Sequence, residues 1–156
     1  MKIYGDSSLG KEIIDLLHEV DRAIEGLDVQ SSVRLCGSEV TFFDLSTQVH
    51  GPEAYEEKWK KYKPYMLHGV NILRRNVTIH VEPHLAFIHC YVKLTPENAE
   101  KANWLPTVKW CRSTLCARKE HGRWKLVHQH ISVPVEIETG TMQVLDLEMI
   151  NREVNI

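Results

Sequence analysis

The chain has 156 residues, one domain's worth at roughly 100–200 residues per domain, and its 43% hydrophobic and 26% charged content excludes a disordered polymer. Nineteen Lys and Arg against 21 Asp and Glu leave a net charge of −2, without the basic excess of a nucleic-acid binder. No apolar run reaches the roughly 18 residues of a membrane span, and the opening MKIYGDSSLGKE carries no apolar leader, so a cytoplasmic chain is expected.

The N-terminal third reads as helical. Ile13, Leu16, Leu17, Val20, Ile24 and Leu27 recur at three- and four-residue spacing, the stripe of an amphipathic helix. Ser7 or Ser8 can cap its start, and Gly26 suits a left-handed position at its end. Asp28 can cap a short second helix carrying Val29, Val33 and Leu35. Residues 40–45 are β-branched and aromatic and read as a strand. Gly51, Pro52 and Glu53 open a third helix, with Pro tolerated at its first position. Glu53, Glu56 and Glu57 near its start and Lys58, Lys60, Lys61 and Lys63 toward its end complement the helix dipole. Tyr55, Trp59 and Tyr62 share one helical face; core packing and ligand stacking both account for that stripe.

From residue 70 the pattern turns to long strands. Val77, Ile79 and Val81 alternate with polar residues, and Glu82, Pro83 and His84 make a turn. Residues 85–94 form the next strand, followed by a loop over 95–98. Residues 104–118 and 123–133 form a hairpin closed at His121 and Gly122. With a two-residue loop, Thr114 lies opposite Gln129 and Arg112 opposite Ile131. Trp110, Arg112, Thr114 and Cys116 then share a face with Gln129 and Ile131. A bulge at Gly122 would instead bring His128 and His130 to that face. Met142, Leu145, Met149 and Ile150 suit a short packing helix or an extra strand.

Helices followed by antiparallel strands indicate an α+β class. The element order and three segments resemble the SnoaL-like and ketosteroid-isomerase-like branch of the nuclear transport factor 2-like superfamily. The first segment is the strand ending in Asp44, followed by Gly51, Pro52 and Glu53. The second, Tyr91 to Thr95, is similar to a strand of the calcium/calmodulin-dependent protein kinase type II association domain. The third holds Arg112 and Thr114, the Gly122–Trp124 turn, and His128, His130 and Ser132. The resemblance implies a cone-shaped barrel in which a curved antiparallel sheet wraps three N-terminal helices around a pocket. It also implies a homodimer, a SnoaL-like domain over residues 1–135, and a C-terminal extension over 136–156 that packs on the domain or on the dimer.

In the resembling isomerases an aspartate at the position of Asp44 moves a proton beside a carbonyl, and partial burial at a strand end suits a general base. Asp44 can equally start a turn through its side chain. Those enzymes also need donors for the enolate oxygen; the equivalent positions here are Val20 and Thr114, so ketosteroid isomerisation itself is not expected. Arg112 would meet an anionic ligand or an internal carboxylate. Lys93 matches an arginine of the kinase domain that binds small carboxylates. Gln129 can orient a carbonyl or hydroxyl, while Trp59, Tyr62 and Trp110 wall the pocket.

The nine histidines offer no full metal-ligand set. His128 and His130 lack a following acidic ligand at the required spacing, and His80, His84 and His89 suit surface strand and turn positions. Cys36, Cys90, Cys111 and Cys116 form no CxxC pair and read as buried free thiols. No metal or cofactor is expected, since no GxGxxG or P-loop exists. The leading reading is a small-molecule-binding protein, with isomerase, dehydratase or hydrolase activity as options and Asp44 as base. The alternative is a non-catalytic dimerisation or ligand-binding module.

Overall fold

Asp6, rather than Ser7 or Ser8, caps the first helix in the computed structural model, which describes residues 1–65, 69–96 and 110–145. Its carboxylate accepts from the N–H groups of Ser8 (2.8 Å) and Leu9 (3.0 Å), satisfying two donors that a helix start leaves open. This helix, α1 (Ser7–Glu25), buries Ile13, Leu16, Leu17, Val20 and Ala23 along one stripe. Gly26 stays right-handed, and Leu27 takes the left-handed conformation at φ 52°, its side chain packed on the core. Helix α2 (Val29–Arg34) is capped by Asp28, which accepts from Ser31 N–H at 3.0 Å.

Strand β1 (Lys2–Gly5) precedes α1, in a stretch before the expected helix start for which no strand was expected. Strand β2 (Cys36–Phe43) ends one residue before Asp44, and β3 (Gln48–His50) returns antiparallel beside it. Gly51, at φ 85°, turns the chain into α3 (Pro52–Tyr62), a conformation that costs glycine least. Four long strands follow: β4 (Val70–Val81), β5 (Leu85–Pro96), β6 (Cys111–Glu120) and β7 (Arg123–Ser132). Residues 104–109, expected to begin the hairpin, and Met149 and Ile150 lie outside the described residues.

The expected barrel does not form. The sheet is open, with seven strands in the order β1-β4-β5-β6-β7-β2-β3, and it is neither closed nor curled into a cone. Nor is it wholly antiparallel: β1 runs parallel to β4, and β2 parallel to β7. Both parallel strands come from the N-terminal region and pair with distant partners, leaving β1 and β3 as separate edges. The helices cover one face, where Ile13, Val40, Ile79, Ile88 and Leu115 are fully buried.

Two register shifts decide which side chains face the helices. In β4 the shift falls between Arg75 and Thr78, where Asn76 has φ 51°. The inward set therefore changes from Val70, Ile72 and Arg74 to Val77, Ile79 and Val81. In the β6–β7 hairpin the expected two-residue loop forms, pairing Glu120 with Arg123. A shift between Cys116 and Ala117 then leaves Val127 unmatched, so Thr114 pairs with His130 and Arg112 with Ser132. Cys111, Ser113 and Leu115 face the helices, and Arg112, Thr114 and Cys116 take the other face. Beyond β7, the described C-terminal residues make isolated bridges, Val135 with Met142 and Trp110 with Leu145.

Candidate functional site

Between α3, the end of β2 and the inward face of the long strands lies a cavity of about 340 Å³. That is the low end of ligand pockets, which run from about 300 to 1,000 Å³. Its wall is largely apolar and includes Phe42, Tyr55, Trp59, Tyr62, Ile72 and Val92. The helical spacing of Tyr55, Trp59 and Tyr62 brings all three to it. Phe42 stacks on Tyr55 with ring centroids 4.1 Å apart, and Trp59 meets Tyr55 edge-on at 6.1 Å. Burial pushes the Tyr55 phenol well above its ordinary value, so it stays a neutral hydroxyl.

Asp44 stands at this cavity because β2 ends just before it. Its own N–H donates to the Thr47 carbonyl at 2.8 Å, and the Leu45 N–H donates to its Oδ1 at 2.8 Å. The turn role foreseen for Asp44 is therefore real. Its Oδ2 accepts from the Lys58 ammonium, which sits 5.9 Å from the Phe42 ring centre and 5.8 Å from that of Tyr62. The Lys58 side chain is 10% exposed and that of Asp44 28%. Each carboxylate oxygen carries two lone pairs, so one bond to each leaves capacity to accept a proton. A 3.0 Å bond between the Ser46 and Tyr62 hydroxyls ties the Asp44 turn to α3.

A second cation at the wall, Arg74, is held by a carboxylate behind it. Arg74 grips Asp21 of α1 as a fork, at 2.8 Å from Nε to Oδ2 and 2.6 Å from Nη2 to Oδ1. Burial disfavours the guanidinium charge, but the Asp21 bonds more than offset it and hold Arg74 protonated. The Cys111 thiol at the wall is pushed up to about 11 by burial, helped by the Asp44 charge. It stays protonated near neutrality and is a poor nucleophile.

Of the residues singled out in the sequence, Asp44, Trp59, Tyr62 and Gln129 line the cavity. Arg112, Thr114, Lys93 and Trp110 are not among its lining residues. Strand β6 alternates without a break, so Arg112 and Thr114 face outward. The Val127 irregularity re-phases β7 and removes their expected pairing with Ile131 and Gln129, and Arg112 donates from Nη2 to the Val133 carbonyl at 2.9 Å. Lys93 alternates with the wall residues Val92 and Leu94, so it takes the opposite face. Trp110 packs with Leu145 and Tyr91 in a separate cluster. His128 and His130 pair with Cys116 and Thr114 and meet the Phe43 ring edge-on. Among the described residues no group of three His, Cys, Asp or Glu is placed to hold a metal ion.

Lys58, Arg74 and Asp21 were not foreseen at the site. Lys58 had a legible signal: it sits between Tyr55 and Tyr62 on the same helical face.

A family model described as the SnoaL-like domain matches residues 13–136, and the chain belongs to that family. A nuclear transport factor 2-like protein of unknown function from Pseudomonas putida shares the fold at a TM-score of 0.79 and 22% identity, over 90% of this chain and 98% of that one. A candidate dehydratase of the same superfamily from Streptomyces avermitilis matches at 0.67 and 15% identity, over 81% and 95%. A candidate aromatic ring hydroxylase from Novosphingobium aromaticivorans matches at 0.62 and 17%, over 78% and 85%. No curated protein matches the chain significantly. The likeness to the kinase association domain gains no support from these comparisons. No described helix is long and apolar enough to cross a membrane.

Proposed function

We propose that this chain binds a small apolar compound carrying a carbonyl or hydroxyl group and acts on it by proton transfer, with Asp44 as general base. The observation that carries the reading is Asp44 at the wall of an otherwise largely apolar cavity. A ligand there displaces water, which strengthens every electrostatic contact that the carboxylate makes. Gln129 is the amide available to orient the ligand's oxygen, and Trp59 and Tyr62 supply the flat apolar wall. The candidate dehydratase and hydroxylase among the structural relatives are in keeping with chemistry on such compounds.

The test is a panel of enolisable ketones and β-hydroxy carbonyl compounds, followed by NMR for exchange, isomerisation or loss of water. Asp44→Asn is expected to keep ligand affinity within about threefold and to lower turnover at least about a hundredfold, the scale of general acid–base catalysis. Turnover that survives Asp44→Asn would remove Asp44 from the role of base. A binding role without chemistry is the second reading, favoured because both Asp44 oxygens already hold a donor. Tight binding of panel members with no turnover of any would decide for it.

A further inference from the structure

We infer that Lys58 holds the ligand's oxygen, so that Asp44 and Lys58 act as a proton-transfer dyad on a carbonyl compound with an acidic neighbouring C–H. This rests on the reading of the cavity given above and names the group that reading lacks. Asp44 supplies a base, and a carbonyl that loses a neighbouring proton also needs a donor aimed at its oxygen, where negative charge develops.

Lys58 fits that need on three counts. It lines the cavity, and its side chain is nine-tenths buried, unlike its neighbour Lys60, which is 56% exposed and pairs with surface glutamates. An ordinary dipole-complementing lysine would resemble Lys60. The ammonium has three N–H donors, of which Asp44 takes one, and the Phe42 and Tyr62 rings beside it hold a cation less strongly than an oxygen would. Arg74, the other cation at the wall, is already committed to Asp21 through its fork.

Charge balance supplies the mechanism. Asp44 removes a proton from the carbon beside the carbonyl, and the C–H electron pair becomes a C=C bond. The carbonyl π pair moves onto oxygen, which accepts an N–H from Lys58. Before the step the dyad and its ligand comprise one carboxylate, one ammonium and a neutral ligand; after it, a neutral acid, the same ammonium and an enolate, while Arg74 stays neutralised by Asp21 throughout. The negative charge moves from Asp44 to the ligand without leaving the reach of Lys58, so no buried charge is left unpaired. The proton on Asp44 then returns to another carbon of the conjugated system, or to a departing hydroxyl.

The probes are 2-tetralone, an enolisable bicyclic ketone, and 2-naphthol, whose anion matches the enolate in shape and charge. The unmodified chain is expected to speed deuterium uptake from D₂O at the activated carbon of 2-tetralone, followed by NMR. Lys58→Met and Lys58→Gln should each lower that acceleration about a hundredfold, Gln because it keeps a donor to Asp44 but not the charge. In fluorescence titrations Asp44→Asn should bind 2-naphtholate about tenfold tighter, and the Lys58 variants about tenfold weaker. A merely structural ion pair would weaken binding alike from either side. Exchange in the Lys58 variants within threefold of the unmodified chain overturns the inference, as do naphtholate shifts of the same sign. Exchange lost in Asp44→Asn but kept in both Lys58 variants sinks the dyad alone and leaves Asp44 as base. Naphthol binding with no exchange leaves a binding site and ends the dyad; neither binding nor exchange ends the reading of the cavity as well.

Discussion

Arg74 reaches the cavity wall already neutralised, its guanidinium forked onto Asp21 and its Nη1 3.5 Å from the Cys90 sulfur. Side-chain exposures of 10% and 16% make this a largely buried pair. Removing one partner from such a pair costs about 3–5 kcal/mol, because the other charge stays behind unpaired. Asp21→Ala is therefore expected to lower stability by about 3 kcal/mol in urea unfolding, whereas joint replacement by Leu and Met should come close to neutral. Equal losses from the single and joint replacements would show that packing, not the stranded charge, sets the cost. The contrast with Arg112 shows where residue types stop being informative. Both are arginines on alternating strands, and a hairpin without a bulge would pair Arg112 with the inward-facing Ile131 and so point it inward. The register shifts decide the outcome: Arg74 comes before the shift in β4, and the shift at Val127 pairs Arg112 with Ser132 instead of Ile131. Lys58 was concealed differently, by a run of lysines that the helix dipole explained well enough.

At the scale of elements, local chemistry was readable and distant pairing was not. The three helices, the long strands and the His121–Gly122 loop follow from periodicity and turn residues, and each is present. Asn76 was a usable sign, since Asn tolerates positive φ better than most residues and interrupts the alternation of β4. Val127 was not, because a β-branched residue inside a strand marks nothing. Strands β1 and β3, of four and three residues, are fixed by partners far off in the chain or by the turn at Asp44, so their own composition says little. The start of α1 shows a local rule applied one residue too late, with Asp6 holding two N–H groups that a serine was expected to serve. Asp6→Ala should cost about 1 kcal/mol, and Asp6→Ser or Asn much less. Thermal unfolding of the three variants checks the order; equal losses would show that the cap bonds contribute nothing.

Over the whole molecule, α1 is the element that keeps an open sheet covered, and three of its carboxylates do the fastening. Asp21 holds Arg74, and Glu25 accepts from the Ile72 N–H at 2.7 Å, both on β4 beside the cavity. At the other end Glu12 reaches the β6–β7 hairpin, accepting from Lys119 at 2.8 Å and from the Trp124 indole N–H at 2.7 Å. Those bonds, Lys119 first and Trp124 next, hold the Glu12 carboxyl below its ordinary value. The Asp28 cap is lowered in the same way by its Ser31 bonds. A depressed carboxyl stabilises the fold fully above its unfolded value and loses that contribution as pH falls through the folded one. The sensitive window therefore lies below about pH 4, the ordinary carboxylate range. Glu12→Gln should lower the urea midpoint at pH 7 and flatten its decline below about pH 4. Because the Glu12 contact is with the hairpin, the loss should appear first as faster amide exchange where Lys119 and Trp124 face α1. A midpoint that falls as steeply with acid in Glu12→Gln as in the unmodified chain would mean that other carboxylates carry the acid sensitivity, and α1 would then rest on its apolar stripe and its two ties to β4.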